Sequence, residues 1–511
     1  MSSPDIQNAN ILLPEPSVPE PADYVSTAKT KPPLTPEEEE NMKKPTVLIV
    51  GAGLGGLTLA ILLHKARIPF FVYERAHAVK HLGSAMSLGP PVTNLFKQLG
   101  IYEEFQAMGK RSLYNYIYKH DLTHDFTLDF SSRQKLAGSE GYIVSRPDMY
   151  DLLWRQIPRE RIHMGKKFLS FLQNGDGVMI RFSDNTTIHG DILVGADGAH
   201  SAVRQRLFQD LKSKGKLPKS DDVPLPFNCV CLVGQTKPLD PEEFPDLKKD
   251  YSQFMTVHGS ENMYSWVMFT TARNTVCWMV VQSLDAESSK ENDFFRNSEW
   301  GPEAAEAMCK EVRHFKMPSG REDKELTMGD LIDLSPKDLI SKVMLEEKVF
   351  DTWFGGRTVL LGDCMSNFGA NICSNMMSPA SGAGAINAMH DAVALANWIY
   401  TLESKSLSDL NTIFQEYYAE RYPAAKASFK TSQVFSKMLA KNFTGMVTKT
   451  MFRKLPMWLW KRVVIKMSAT RVQASFLPLV EDKGQVKPLP QPSLIKTLAI
   501  LEQRKTGDVA V

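Results

Sequence analysis

The chain has 511 residues, of which 43% are hydrophobic and 23% charged, and its formal net charge is +2. This length is too great for a single hydrophobic core and predicts at least two domains in an otherwise ordinary globular protein. The near-neutral charge argues against a nucleic-acid-binding protein, which usually carries a basic face. The six cysteines are scattered without zinc-ligand spacing, which favours free thiols in a reducing compartment and no metal site.

The first 44 residues are rich in proline and contain an acidic run, Glu37 to Glu40. They lack the basic start and apolar stretch of a signal peptide. Because they cannot bury enough apolar surface to offset the entropy of ordering, we expect a disordered extension. No run in the chain approaches the roughly 20 apolar residues that span a bilayer. We therefore expect a cytoplasmic protein that is not secreted.

The segment TVLIVGAGLGGLTLAILLHK predicts a buried strand over 47–50, a glycine-rich turn and a helix over 57–65. Gly51, Gly53 and Gly56 supply the pattern G-x-G-x-x-G. In such a motif the first glycine makes the tight turn, the second lets the backbone approach a pyrophosphate, and the third lets helix and strand pack closely. The start of the helix directs free N–H groups and a positive dipole end at the phosphates.

A second predicted strand, over 70–73, ends at Glu74, which lies 23 residues after Gly51. This spacing is close to the roughly 20 residues expected for the acid that binds a nucleotide ribose. A carboxylate accepts hydrogen bonds from ribose hydroxyls and repels a 2′-phosphate, so FAD or NAD is favoured over NADP at this site. The alternative is a glycine-rich turn that binds no ligand.

A helix is predicted to begin at Arg146, with Ser145 as its cap and Asp148 in the capping-box position. Arg146 could there reach an anionic cofactor, although a surface ion pair explains it equally well. Two later segments repeat the order strand, turn, helix. The first is DILVGADGAHSAVR, with Asp197 in the turn and Ser201 as a helix cap; the second is TVLLGD, which places Asp363 in the turn.

Taken in this order, the motifs resemble those of the class A FAD-dependent monooxygenases, which have the p-hydroxybenzoate hydroxylase fold. The resemblance covers roughly residues 46–400, and the fungal PaxM-type branch looks similar. The stretch GAINAMHDAVALANWI resembles the helix next to the flavin. The resemblance implies an α/β fold: a Rossmann-like FAD-binding domain of the GR2 type, an interleaved antiparallel β-sheet substrate domain and a helical C-terminal region.

The resemblance also implies how the chain is divided. The expected parts are a disordered extension over 1–44, an FAD-binding domain over 45–205 and 340–404, a substrate domain over 206–339 that also takes parts of 100–145, and C-terminal helices and a tail over 405–511.

The implied cofactor-binding residues are spread along the chain. Those for the adenosine and pyrophosphate parts of FAD are Gly51, Gly53, Gly56, Glu74 and Arg75. Those along the ribityl chain and isoalloxazine are Gly83, Arg146, Asp363, Gly382, Gly384 and Ala385, with Asp197 in a turn shared by flavin and NAD(P)H binding. The N–H groups of Gly384 and Ala385 would stabilise negative charge on the reduced flavin.

The reaction implied is a monooxygenation. NADPH or NADH transiently reduces FAD, O2 adds at the flavin C4a, and the hydroperoxide passes one oxygen atom to a small lipophilic or aromatic substrate, by hydroxylation or epoxidation. No catalytic base is assigned, because the chemistry is chiefly the cofactor's. The alternatives are a flavin-dependent reductase of an isoprenoid chain and a flavin-binding protein with impaired catalysis. The substrate and the oligomeric state are not indicated.

The turn after Asp363 is longer than the family pattern, because CMSNFGANICSNMM stands where a few residues, often including a histidine, are usual. Three explanations stay open. They are a tolerated insertion, since longer loops cost little closure entropy, a misread exon boundary, and a functional lid over 364–378. The flanking strand and helix are intact, so we expect the flavin site to form.

Four segments rich in Val, Phe, Trp and Met are predicted strands of the substrate domain. They are Phe227–Gly234, Gln253–Thr256, Tyr264–Thr270 and Thr275–Gln282. Periodicity alone does not decide whether Trp266, Met268, Trp278 and Met279 are core residues or pocket residues.

The segment over 451–467 places tryptophans beside basic residues, in the sequence MFRKLPMWLWKRVVIKM. This combination suits peripheral contact with a membrane surface. Helices that pack on the flavin-binding domain and leave a basic face in water are the favoured alternative. The segment after it, LVEDKGQVKPLPQPSL, is expected to be an extended tail.

Overall fold

The structure is a computed structural model that describes residues 44–78, 85–223, 227–259, 264–283, 302–321, 324–368, 383–439, 450–451 and 454–507. Several predictions fall on other parts of the chain. The extension before Lys44, the cofactor residues Gly83 and Gly382, and the long turn from 369 onwards lie outside the described residues.

Strands make up most of the central part of the chain. They are β1 Val47–Val50, β2 Phe70–Tyr73, β3 Ala85–Leu88, β4 Lys110–Arg111, β5 Tyr114–Lys119, β6 His124–Asp129, β7 Tyr142–Ser145, β8 Ile162–His163, β9 Phe168–Gln173, β10 Val178–Phe182, β11 Thr187–Gly190, β12 Ile192–Gly195, β13 Phe227–Gln235, β14 Phe254–His258, β15 Tyr264–Thr270, β16 Val276–Ser283, β17 Lys316–Arg321, β18 Lys324–Thr327, β19 Ser341–Val349, β20 Phe354–Gly355, β21 Thr358–Leu360 and β22 Ser366–Phe368.

Helices flank the sheets and dominate the C-terminal part. They are α1 Leu54–Lys65, α2 Pro90–Leu99, α3 Tyr102–Ala107, α4 Arg133–Ala137, α5 Arg146–Trp154, α6 Ala202–Ser213, α7 Pro302–Val312, α8 Met328–Asp333, α9 Ala383–Tyr400, α10 Leu407–Leu439, α11 Met457–Ser468 and α12 Pro492–Gly507. Short 3-10 turns lie at Arg159–Arg161, Pro245–Leu247, Lys337–Leu339 and Gly362–Cys364.

A six-stranded sheet, in the order β20-β21-β12-β1-β2-β8, confirms the Rossmann-like prediction. Only β20 runs antiparallel to its neighbour. All four residues of β1 are buried, which explains its uniformly apolar sequence. Val47 pairs with Phe70 on one side and with Ile192 on the other. The winding direction therefore changes between β1 and β12, and in such sheets ligands bind beyond the carboxyl ends of the strands at that point.

An eight-stranded sheet, in the order β22-β19-β13-β16-β15-β14-β5-β6, contains all four predicted substrate-domain strands. Its pairs are antiparallel except β14 with β5, which are parallel. Side chains alternate between two faces. One face packs under α7 and α8, while the other contacts Ala85 and Ile143 of β3 and β7. Strand β19, Ser341–Val349, also belongs to this sheet.

The segment between α11 and α12 has no regular secondary structure, but it is not a free tail. Gln98 Oε1 accepts the N–H of Ala474 at 2.8 Å, and Asn397 Oδ1 accepts the N–H of Ser475 at 2.8 Å. These side chains lie on α2 and α9. Hydrogen bonds from backbone N–H groups of the segment to side chains of α2 and α9 thus hold it in place. The hydropathy of the sequence does not predict these bonds.

Candidate functional site

At two positions of the first turn, contacts within the protein leave room only for glycine. Gly51 has φ +108°, and a Cβ added to it would lie 2.3 Å from the carbonyl oxygen of Ala196. A Cβ added to Gly56 would lie 2.2 Å from the oxygen of Gly51. The turn after β1 and the turn after β12 are therefore in direct contact, at the point where the sheet reverses its winding.

Gly53 differs from both neighbours in the motif. Its φ is −72°, which any residue adopts, and an added Cβ would meet only the oxygen of Ala196, at 4.0 Å. Neither the backbone nor the packing needs a glycine here. Gly53 is also the N-cap of α1, whose first turn contains no acidic side chain. The open space beside this helix start is suited to a ligand that bears phosphate.

Glu74 lies beside the same turn. Its Oε2 accepts the N–H of Ala52 at 2.9 Å, and its Oε1 accepts the N–H of Ala76 at 2.9 Å. Each carboxylate oxygen has a further lone pair for a hydroxyl group. The side chain of the following residue, Arg75, is exposed.

The turn after β21 packs against helices α1 and α9. Gly362 has φ +64°, and an added Cβ would lie 3.0 Å from the Cβ of Ala388. A Cβ added to Gly55 of α1 would also lie 3.0 Å from the Cβ of Ala388, and 2.6 Å from Leu361. The start of α1, the Gly-Asp turn and α9 therefore meet at one place. This contact joins segments that are more than 300 positions apart in the chain.

Asp363 points toward the start of α9. A Cβ added to Gly384 would lie 3.8 Å from Asp363 Oδ1, which is an ordinary contact distance. Gly384 is helical and its φ is not positive, so, like Gly53, it has no internal reason to be glycine. Ala385 follows it in the first turn of α9. Two helix starts, each with a sterically open glycine, thus lie beside the turns after β1 and β21.

Arg146 acts on the same carboxylate. Burial among protein atoms raises the pKa of Asp363 to about 6, the guanidinium of Arg146 opposes this rise, and Asp391 adds to it. Asp363 is nevertheless exposed to water, so the burial around this carboxyl is only partial. The guanidinium charge of Arg146 therefore acts at the Gly-Asp turn.

Asp197 is placed differently from a direct ligand. Its carboxylate accepts the hydroxyl of Ser201 at 2.5 Å and the N–H of Ala202 at 2.7 Å, at the start of α6. The thiol of Cys364 also donates to it, at 3.3 Å, and accepts the N–H of Gly198 at 3.1 Å. The carboxylate of Asp197 therefore shapes its own turn and links that turn to the Gly-Asp turn.

The predicted capping box at α5 does not form. Ser145 occupies the N-cap position but makes no side-chain cap bond. The carboxylate of Asp148 instead lies 2.6 Å from the guanidinium of Arg273, in the β15–β16 hairpin. The carboxylate of Asp148 is thus engaged by a residue of the eight-stranded sheet's β15–β16 hairpin, a partner that the local sequence does not indicate. The predicted cap of α6 does form, since Ser201 accepts the N–H of Arg204 at 2.9 Å.

Sequence reasoning missed two residues of this region. No sequence pattern indicates the role of Cys364, whose thiol links the turns after β12 and β21. Tyr150 is half-buried in α5; burial raises the pKa of its hydroxyl, and the charge of Glu74 adds to that rise. Tyr150 follows Arg146 by four residues, so the two share one helix face. That spacing was visible in the sequence, and α5 carries side chains that interact electrostatically with Asp363 and with Glu74.

The eight-stranded sheet settles which of its large residues are core. Trp266, Met268 and Trp278 belong to the cluster under α7 and α8. The indole N–H of Trp278 donates to Ser335 Oγ at 2.9 Å. Met279 alternates with Trp278 and lies on the opposite face, with Phe269 and Cys277, which pack against β3 and β7. That face is turned toward the strand that leads into Arg146.

The described part of the chain also contains a recess away from the glycine turns. This recess of about 570 Å³ is lined by residues that include Asn174, Gly177 and Asp191. It lies at the amino ends of the parallel strands, since Asp191 bonds to Thr46 just before β1, and thus opposite the glycine turns. Within the described residues no cluster of His, Cys, Asp or Glu is arranged to hold a metal ion, and no helix is long and apolar enough to cross a membrane.

The geometry fits an extended dinucleotide such as FAD. Gly53 and Gly384 leave room for backbone approach at two helix starts, and Glu74 and Asp363 offer acceptors beside them. Residues 44–432 match the model of the family described as FAD binding domain. The chain belongs to this FAD-binding family.

Curated relatives support the same class. The chain is 25% identical over 457 residues to the FAD-dependent monooxygenase nvfK of Aspergillus novofumigatus, covering 87% of this chain and 88% of that protein. It is 26% identical to the FAD-dependent monooxygenase paxM of Penicillium paxilli, covering 76% and 77% of the two chains. The crystal structure of Klebsiella pneumoniae HpxO complexed with FAD and uric acid has the same fold, with a TM-score of 0.62, 18% identity and coverage of 83% and 96%. The chain is an FAD-dependent monooxygenase, and the predicted class and cofactor are confirmed.

Proposed function

We propose that the recess between the three turns holds FAD along its length and that the eight-stranded sheet presents the substrate to the flavin. The single observation that carries this proposal is the convergence on α1 and α9 of the turns after β1, β12 and β21. Gly51, Gly53 and Gly56 would hold the pyrophosphate, with Glu74 and Arg75 at the adenosine end.

At the flavin end, Arg146 and Asp363 would bind the ribityl–phosphate part, and Gly384 and Ala385 would direct N–H groups at the isoalloxazine. Bound FAD supplies the redox chemistry, taking electrons from NADPH or NADH and activating O2. The residues bind and orient the cofactor, and the positive start of α9 stabilises negative charge on it. Asp197 would act indirectly, by holding the turn in which it lies.

The substrate is proposed to be small and lipophilic or aromatic. The face of the eight-stranded sheet that is turned toward β3 and β7 includes Val267, Met279 and Val281, which are at most 3% exposed, and next to them Val343, which is 40% exposed. Such a surface binds apolar carbon skeletons by burial. Both hydroxylation of an aromatic ring and epoxidation of an alkene are consistent with it.

One experiment tests the function. Purified full-length protein is reconstituted with FAD, and NADPH and NADH oxidation is followed with O2 consumption while aromatic and terpenoid compounds are screened. We expect substrate-stimulated oxidation of the nicotinamide and one atom of ¹⁸O from ¹⁸O₂ in the product. Oxidation without O2 consumption would instead support the reductase alternative. Flavin-loaded protein that no compound stimulates would support the alternative of impaired catalysis.

We also propose peripheral contact with an anionic intracellular membrane through α11, which would place this cytoplasmic protein beside lipophilic substrates. Met457 and Trp458 are 68% and 60% exposed. Lys461 and Arg462 lie one turn further along the same face, and the Arg462 guanidinium lies 5.2 Å from the centre of the Trp458 ring. Apolar side chains flanked by bases suit the interface with anionic lipid.

A further inference from the structure

The Gly362-Asp363 turn is held from behind by the helix that follows it. The carboxylate of Asp391, on α9, lies close enough to the N–H of Gly362 for that amide to oppose the rise in pKa that burial causes. Asp391 is only 2% exposed. It follows Ala388, the residue against which Gly362 packs, by three positions, so both lie on the same face of α9. One helix face thus packs against Gly362 and places a carboxylate near its amide.

The carboxylate of Asp391 is held in turn by Arg421 of α10. Arg421 Nε donates to Asp391 Oδ1 at 2.6 Å, and Nη2 donates to Asn387 Oδ1 at 3.3 Å. The two charged side chains are 6% and 2% exposed, so both are withdrawn from water. Burial raises the pKa of Asp391, and Arg421 opposes that rise. A buried carboxylate that loses its cation is strongly destabilised or takes up a proton.

Helix α10 also holds the other side of the same strand end. Tyr417, one turn before Arg421, is fully buried, and its hydroxyl donates to the carbonyl of Leu360 at 3.2 Å. Leu360 and Gly362 flank Leu361, the last residue before the turn. Helix α10 therefore contacts the chain on both sides of Leu361, directly through Tyr417 and indirectly from Arg421 through Asp391.

We propose that Arg421 is a positioning residue of the flavin site. Through Asp391 it fixes the amide of Gly362, and so fixes where the carboxylate of Asp363 stands for the ribityl chain of FAD. Arg421 lies behind the turn and is 5% exposed, so it acts through Asp391 rather than by touching the cofactor. It also neutralises Asp391, whose charge acts on Asp363. The inference rests on the proposed function, because it assumes FAD in this recess.

The test compares full-length variants in FAD titrations of the apoprotein, followed by flavin fluorescence. Arg421→Met removes a buried charged hydrogen bond, so we expect the FAD dissociation constant to rise about tenfold or more. Arg421→Lys keeps the charge but not the fork of N–H groups, and should give a smaller rise. The visible circular dichroism of bound flavin should change in Arg421→Met at saturating FAD, because the flavin surroundings move.

Arg357→Met is the matched control. Arg357 is also a buried arginine, 1% exposed, but its guanidinium donates to the carbonyl oxygens of Asn174, Gly175 and Lys405. These contacts lie at the amino ends of the parallel strands, whereas Gly362 and Asp363 follow the carboxyl end of β21. We expect Arg357→Met to lower thermal stability while leaving the FAD dissociation constant of the folded protein unchanged.

Two results would overturn the proposal. One is a folded Arg421→Met protein that binds FAD as tightly as the wild type; the other is an equal loss of FAD affinity in Arg357→Met. If Arg421→Met does not fold, Arg421→Lys and Tyr417→Phe take its place, and we expect each to raise the FAD dissociation constant severalfold. An unchanged dissociation constant in these variants would count against the proposal. Wild-type protein that binds no FAD at all would contradict the proposed function instead.

Discussion

Arg146 and Asp363 lie far apart in the chain, yet the guanidinium charge is close enough to lower the pKa of the carboxyl group. Arg146 stands at the start of α5 and Asp363 in the turn after β21. The start of α5, which follows a strand in contact with the eight-stranded sheet, therefore lies near the carboxyl end of β21 in the six-stranded sheet.

The ionisation of Asp363 predicts a pH dependence. Burial raises its pKa to about 6, from an ordinary 3.8. An ionised carboxylate accepts stronger hydrogen bonds from hydroxyl groups, so the FAD dissociation constant should fall as pH rises through about 6. In Asp363→Asn this pH dependence should disappear. Fluorescence titrations between pH 5 and pH 8 measure both, and a wild-type dissociation constant that is flat over this range contradicts the prediction.

The same shift affects the stability of the apoprotein with the opposite trend. Because the folded-state pKa of Asp363 lies above its unfolded value, the folded state binds more protons between about pH 4 and pH 6. The contribution of Asp363 to stability is therefore lost as pH rises across that window. Thermal unfolding of the apoprotein should show this decline in the wild type, and Asp363→Asn, measured as the control, should lack it.

Gly53 and Gly56 should respond differently to substitution by alanine. Gly53→Ala should keep the free energy of unfolding of the apoprotein within about 1 kcal/mol of the wild type, since its Cβ meets open space. It should nevertheless weaken FAD binding about tenfold or more, because the Cβ enters the space proposed for the pyrophosphate. Fluorescence titration and denaturant unfolding separate the two effects.

Gly56→Ala is the contrasting variant. Its Cβ would lie 2.2 Å from the backbone oxygen of Gly51, and such overpacking typically costs about 1–3 kcal/mol. We expect a loss of apoprotein stability before any FAD is added. If Gly53→Ala bound FAD like the wild type, the pyrophosphate would have to lie elsewhere.

Cys364 should contribute to stability by linking two turns. Cys364→Ala removes the sulfur that accepts the N–H of Gly198 and donates to Asp197, so unfolding should become easier by about 1–3 kcal/mol. Cys309→Ala, at a half-buried helix position, should cost less than Cys364→Ala and serves as the control. Burial also raises the pKa of the Cys364 thiol well above its usual range. The native protein should therefore protect this thiol from alkylation until it unfolds, which mass spectrometry of pulse-labelled protein measures.

The two tryptophans of α11 should separate membrane contact from folding. Trp458 is exposed, so Trp458→Ala should leave thermal stability unchanged and reduce binding to vesicles that contain anionic lipid. Trp460 is buried, its indole N–H donates to the carbonyl of Asp129 at 2.7 Å, and its ring lies edge-on to Phe130. Trp460→Ala should therefore lower stability by about 3–5 kcal/mol. Equal vesicle binding by wild type and Trp458→Ala in a co-sedimentation assay would refute the membrane contact.

Much of the FAD-binding part was predictable from the sequence. The strands over 47–50 and 70–73 have the predicted bounds, and α1 begins at Leu54 rather than at the predicted residue 57. Apolar runs, glycines at fixed spacing and an acid at a strand end are local features, because each is required by the backbone conformation or the burial of its own segment. Such features are therefore written in short stretches of sequence.

The sequence by itself thus determined the class of fold and cofactor. Only the tertiary structure decided that protein contacts require glycine at Gly51 and Gly56, while Gly53 adjoins open space. It also decided that Met279 lies on the opposite sheet face from the cluster that contains Trp278. It likewise decided that Arg421 lies behind the Gly-Asp turn. These relationships depend on which distant segments meet, because a side chain's role follows from its three-dimensional neighbours, and local periodicity carries no information about them.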